Sequence, residues 1–85
     1  MPELFAEIAG MLESVTGTDM PVSPDTTLEG DLGLDSLDVA DLAGRLRDRY
    51  GDRVDLVGFL ATLDIDELVA LTTGDLARHV AGVAA

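Results

Sequence analysis

Leu4, Ile8, Met11, Leu12 and Val15 recur at helical spacing, with Phe5 at the edge of their stripe, so the chain opens with a predicted amphipathic helix over Glu3 to Thr16. Pro2 suits its first turn and Gly17 its end. Val39, Leu42, Ala43, Leu46 and Tyr50 form a second stripe and predict a helix from Ser36 to Tyr50, closed by Gly51. Leu37 falls opposite that stripe, among Ala40, Asp41 and Gly44. The stretch from Val54 to Leu63, with Leu56, Phe59, Leu60 and Leu63, predicts a short helix. A second short apolar segment runs from about Asp66 to Leu71, with Ile65, Leu68 and Val69 expected in the core and Asp64 or Asp66 as its cap. Thr72-Thr73-Gly74-Asp75 has capping-box spacing and starts a last helix to about Gly82, which turns Leu76, Val80 and Val83 inward while Ala77 permits close approach. No segment alternates with a strand period, and there is no repeat or low-complexity tract.

The elements define an all-α helical bundle, with three principal helices and one or two short ones, in a single domain over residues 1–85. Its expected core is Leu4, Ile8, Leu12, Val15, Leu42, Leu46, Phe59, Leu68, Leu76 and Val80. Residues 17–34 carry Gly17, Pro21, Pro24, Gly30 and Gly33, and make a connection longer than most. Val22, Leu28, Leu32 and Leu34 supply side chains able to pin it across the bundle.

The chain has 85 residues, room for one modest core but not for an enclosed active site between separate lobes. Without cysteine there is no disulfide, thiolate nucleophile or cysteine-bound metal. The start lacks a basic leader, and no apolar run reaches membrane-spanning length, so a cytoplasmic protein without membrane insertion is expected. Seventeen Asp and Glu face five Arg, no Lys and one His, for a formal charge of −12. Every charged side chain before Arg45 is acidic. That field repels a nucleic-acid backbone and favours basic protein surfaces, where it speeds encounter more than it tightens binding.

The candidate chemistry lies in Asp31-Leu32-Gly33-Leu34-Asp35-Ser36-Leu37-Asp38, where a polar approach becomes a helix. With Asp35 as N-cap, Ser36 takes the first helical position and Asp38 the third, so two carboxylates serve the helix end. The Ser36 hydroxyl is then free to point outward, near the positive end of the helix. No His, Cys or Lys stands nearby in sequence to activate it, so the position suits a serine that another enzyme modifies. Gly33 provides a bend without an obstructing side chain.

This string resembles the attachment site of the acyl and peptidyl carrier proteins, where the serine of a D-S-L triplet receives 4′-phosphopantetheine. Leu42 and Leu46, and Leu71-Thr72-Thr73-Gly74-Asp75-Leu76, extend the resemblance over nearly the whole chain. It implies a monomeric carrier, not an enzyme, with Ser36 modified from coenzyme A by a phosphopantetheinyl transferase. The arm's thiol would then hold an acyl, polyketide or aminoacyl group as a thioester, explaining how a chain without cysteine carries one. The resemblance also implies a partner-facing helix at Asp35, Leu37, Asp38, Ala40 and Asp41, used by the transferase, loading enzymes, and ketosynthase or condensation-type enzymes. The long Val54–Leu63 stretch and the small Ala40 and Gly44 point toward bacterial natural-product synthesis rather than housekeeping fatty-acid synthesis.

Two other functions compete. A serine hydrolase would need a base and an oxyanion donor, but the chain has only His79, expected as a polar or interfacial residue of the last helix, and lacks G-x-S-x-G. An unmodified acidic interaction module would use the same carboxylates and Leu37 for docking. Calcium binding fits poorly, because the acidic positions of 31–41 do not follow the spacing of an EF-hand loop.

Overall fold

Ile8 and Leu12, one turn apart on the first helix, are completely buried, and Ala9 beside them is nearly so. The computed structural model describes residues 2–17 and 21–84. Five helices follow in order: α1 (Pro2–Thr16), α2 (Ser36–Tyr50), α3 (Leu56–Ala61), α4 (Ile65–Ala70) and α5 (Thr73–Ala84). α1 packs against α2 and α5, while α3 packs against α2. Leu42 and Leu46 of α2 and Leu76, Ala77 and Val80 of α5 meet the α1 stripe in one core. Leu4, Val15, Phe59 and Val83, all expected inside, are partly buried against it.

The 17–34 connection is ordered where it is described. Val22 and Leu28 enter the core, and Leu32 and Leu34 pack on it. Backbone bonds tie it to the junction of α4 and α5: Leu28 N–H donates to Leu71 O at 3.1 Å, Thr73 N–H to Thr26 O at 2.8 Å, and Gly74 N–H to Pro24 O at 2.9 Å. The fully buried Thr73 hydroxyl also donates to Thr26 O at 3.0 Å. These pairings give the polar backbone of a long loop its partners. They also make Thr27 and Thr72 an isolated antiparallel bridge, the only strand-like pairing among the described residues.

The caps explain why such short helices form. Asp55 accepts from Gly58 N–H at 3.0 Å at the start of α3. A Cβ on Gly58 would strike that carboxylate, so the glycine leaves the cap its space. At α4 the cap is Asp64, in a reciprocal box with Glu67. Thr72 and Asp75 exchange bonds of 3.1 Å at the start of α5, as their spacing predicts. That bonding, from the Thr72 backbone first, holds the Asp75 carboxyl below its ordinary pKa.

α4 departs most from expectation. Ile65 is 73% exposed and Val69 48% exposed, so neither belongs to the core. A six-residue helix has one inward edge, and here Leu68 and the following Leu71 occupy it. Leu71 is buried, whereas Leu68 is only half-buried. Val54, Leu56 and Leu71 are buried in the core, whereas Phe59 and Leu68, expected there, are only partly buried.

At the far end of α2, Arg49 reaches Glu7 Oε1 at 2.5 Å, and the Tyr50 hydroxyl donates to Glu7 Oε2 at 2.8 Å. The bond from Tyr50, then that from Arg49, lowers the Glu7 pKa. Burial first, and then the bond to Glu7, pushes the Tyr50 phenol up to about 12.

Candidate functional site

Ser36 begins α2 with its side chain exposed. The approach is a locked turn: Thr27 N–H donates to Asp31 Oδ2 and Asp31 N–H to Thr27 Oγ1, both at 2.9 Å. Asp31 is therefore committed to the loop. Gly33 has φ +63, a left-handed conformation that glycine adopts without the usual side-chain clash, and its N–H donates to Glu29 O at 2.9 Å. The chain then extends into Asp35, whose Oδ1 accepts from Asp38 N–H at 2.9 Å. Asp38 Oδ2 accepts in return from Asp35 N–H at a longer 3.4 Å.

Because Asp35 carries the cap, Ser36 is spared that duty. Its hydroxyl stands at N1, where exposed backbone N–H groups and the helix dipole favour an attached anion. Leu37 is 81% exposed beside it. Asp41 pairs with Arg45 at 3.0 Å, so part of its charge is answered within the chain, whereas Asp35 and Asp38 have no cationic partner among the described residues. Asp35, Ser36, Leu37, Ala40 and Asp41 are exposed, and Asp38 is half-exposed.

Ser36 also lies on the lip of a groove of about 690 Å³, a feature the sequence reading missed. From α2 come Ser36, Val39 and Ala40, and from the preceding loop Leu28 and Leu34. The opposite wall consists of Leu56, Val57 and Leu60 of α3, with Leu68 of α4 and Leu71 after it. The lining is mainly apolar. A signal existed in the sequence, since the short segments after α2 are rich in leucine, but nothing in the order of residues showed those leucines facing one another.

His79 stands elsewhere. Its ring stacks on Phe59 with centroids 3.8 Å apart, and it shares a smaller recess with Arg53, Asp55 and Thr62. The chain's single histidine thus does not line the groove of Ser36, which leaves the hydroxyl without the base a hydrolase needs. No helix of the described residues is long and apolar enough to cross a membrane.

Residues 6–80 match the family model described as the phosphopantetheine attachment site. The meromycolate extension acyl carrier proteins of Mycobacterium leprae (strain TN) and Mycobacterium tuberculosis (strain ATCC 25618 / H37Rv) are 33% identical over 67 residues. The match covers 74% of this chain and 58% of each of theirs, so the chain spans a little over half the length of those relatives. An acyl carrier protein of Rhodococcus erythropolis is 36% identical over 67 residues, 74% of both chains. No solved structure matches significantly.

Proposed function

Since the chain belongs to the phosphopantetheine attachment site family, we propose that it is an acyl carrier whose Ser36 Oγ bears the arm. The observation that carries this reading is an exposed N1 hydroxyl, relieved of capping by Asp35 and opening onto an apolar groove. Attachment forms one Oγ–P bond to the pantetheine-side phosphorus and breaks the phosphoanhydride bond of coenzyme A, releasing adenosine 3′,5′-bisphosphate, while the hydroxyl proton passes to a base of the transferase. The chain supplies the acceptor oxygen and the surface on which the transferase sits. When bound, the arm contributes a terminal thiol that holds cargo as a thioester.

The groove supports an acyl or polyketide cargo over an aminoacyl one. Val39, Leu56, Leu60, Leu68 and Leu71 offer an alkyl chain apolar burial, whereas an ammonium group placed among them would lose its water. The mycobacterial relatives are named for meromycolate extension, and a lipid-like chain suits this groove equally. Asp35, Leu37, Asp38, Ala40 and Asp41 form the proposed face for the transferase, loading enzymes and condensing enzymes.

The test is intact mass after incubation with coenzyme A and a broadly acting phosphopantetheinyl transferase. One phosphopantetheine addition to the native chain, and none to a Ser36→Ala variant with unchanged circular dichroism, is the expected result. Equal addition to both places the arm elsewhere, and addition to neither favours an unmodified acidic interaction module.

A further inference from the structure

The polar side chains of the Ser36 groove gather at one end of it. Glu29, Asp35 and Ser36 are the only polar residues among the described lining, which includes no Arg and not His79. Glu29 stands at the serine's end, because residues 28–29 pair with 33–34 just before α2: Gly33 N–H donates to Glu29 O at 2.9 Å, and Leu34 N–H to Leu28 O at 3.1 Å. Thr27 and Asp31 close the turn on either side of it. The Glu29 side chain itself is exposed and has no ion pair among the described residues. A locked turn thus holds an unanswered carboxylate at the entrance of an apolar groove, and Asp35 adds a second.

We infer that the groove sorts tethered groups by charge: it takes in neutral acyl chains and turns away those that end in a carboxylate, with Glu29 setting this preference at the entrance. The inference rests on the carrier reading above and narrows its cargo. Two effects act in the same direction. Inside, Leu56, Leu60, Leu68 and Leu71 offer a carboxylate neither a donor nor a cation in place of its water, and an unpaired buried charge is strongly disfavoured. At the entrance, Glu29 and Asp35 repel it, in a chain whose formal charge is −12. An alkyl chain, or the same group with its carboxyl esterified, meets neither obstacle and gains apolar burial.

The two effects respond differently to substitution and to salt. The loss of water belongs to the leucine-lined interior, where salt does not screen it. The repulsion belongs to exposed charge and fades as salt rises. Within that charge Glu29 is the separable part, since Asp35 also holds the start of α2. Arginine at position 29 would place a cation where an incoming carboxylate can pair with it. For the carrier, the consequence is that a carboxylate-bearing group stays outside with its arm, open to attack, whereas a neutral acyl group is shielded.

The experiment uses the full chain bearing hexanoyl, adipyl or adipyl methyl ester on its pantetheine arm, each confirmed by intact mass. Hydroxylamine, a small uncharged nucleophile, cleaves the thioester, and each rate is divided into that of the same thioester on free pantetheine to give a protection factor. Native, Glu29→Gln and Glu29→Arg chains are compared, with circular dichroism to confirm the fold. On the native chain, hexanoyl and adipyl methyl ester should be protected about fivefold or more by apolar burial, and adipyl by less than about twofold. Glu29→Arg should raise adipyl protection about threefold and leave that of hexanoyl unchanged, and Glu29→Gln should fall between. At about 1 M salt the three chains should converge, while adipyl stays less protected than its methyl ester. Adipyl protected as well as its methyl ester on the native chain overturns the proposal, as does hexanoyl left unprotected. Equal adipyl protection in native and Glu29→Arg chains at low salt overturns the assignment to Glu29. Failure of the native chain to acquire any pantetheine group refutes the carrier reading instead, so the two failures are distinguishable by mass.

Discussion

Neutralising Asp38 separates its observed task, holding the helix start, from its proposed one, presenting charge to a partner. The stronger bond of the box joins the Asp38 backbone N–H to Asp35 Oδ1 at 2.9 Å, and it survives any side chain at 38 except proline. The return bond, from Asp35 N–H to Asp38 Oδ2, is 3.4 Å and contributes little. Asp38→Asn keeps an acceptor there and loses only the interaction of the charge with the helix dipole, about 0.3 to 1 kcal/mol. Asp38→Lys adds an unfavourable cation to the same end, for about 1 to 2 kcal/mol in all. An exposed ion pair with the transferase is worth roughly 0.2 to 1 kcal/mol, so Asp38→Asn should lower kcat/KM for loading about 1.4- to 5-fold at low salt. The effect should fade toward 1 M salt, where the screening length is about 3 Å. Asp41→Asn should cost less than Asp38→Asn, because Arg45 already answers part of the Asp41 charge. The assay is transferase kinetics across a salt series, beside urea melts of each variant. Identical kcat/KM for native and Asp38→Asn at every salt concentration would refute the reasoning.

Tyr50 is the sole tyrosine and the chain has no tryptophan, so its ionisation can be followed directly by tyrosinate absorbance, with an expected midpoint near 12. Its folded pKa is raised, so its stabilising contribution is fully present below the unfolded value of about 10 and disappears as pH rises through about 12. Glu7→Ala should move that midpoint only part of the way down, because burial is the larger cause. Glu7 behaves in the opposite sense: its lowered carboxyl stabilises above the ordinary value of 4.5, and acid removes the contribution as pH falls through the folded value. Leu46→Ala should cost about 2 to 5 kcal/mol in chemical denaturation, since the side chain is wholly buried. An unchanged midpoint would mean that α2 presents a different side to the core.

Where a local rule sufficed, expectation and structure agree within a residue or two. The stripes of α1 and α2, the Asp35 cap, the Thr72–Asp75 box and the outward Leu37 each depend on residues within a turn or so of one another. The short segments were less legible. Ile65 and Val69 are as hydrophobic as any core residue, and six residues hold too little periodicity to show which side faces in. Val54, Leu56 and Leu71 lie at or beside the ends of short helices, where no stripe marks them, yet they fill the interior.

The amino-acid order by itself determined the helical class, the major helix faces, the acidic character and the position of Ser36 at a capped helix start. These follow from periodicity, capping chemistry and charge, which act over a few residues. Only the tertiary structure decided that the 17–34 connection is stitched to the α4–α5 junction, that His79 stacks on Phe59 apart from the serine, and that leucines from four segments face one another beneath Ser36. A groove is the space left between elements, and its shape depends on packing among residues distant in sequence.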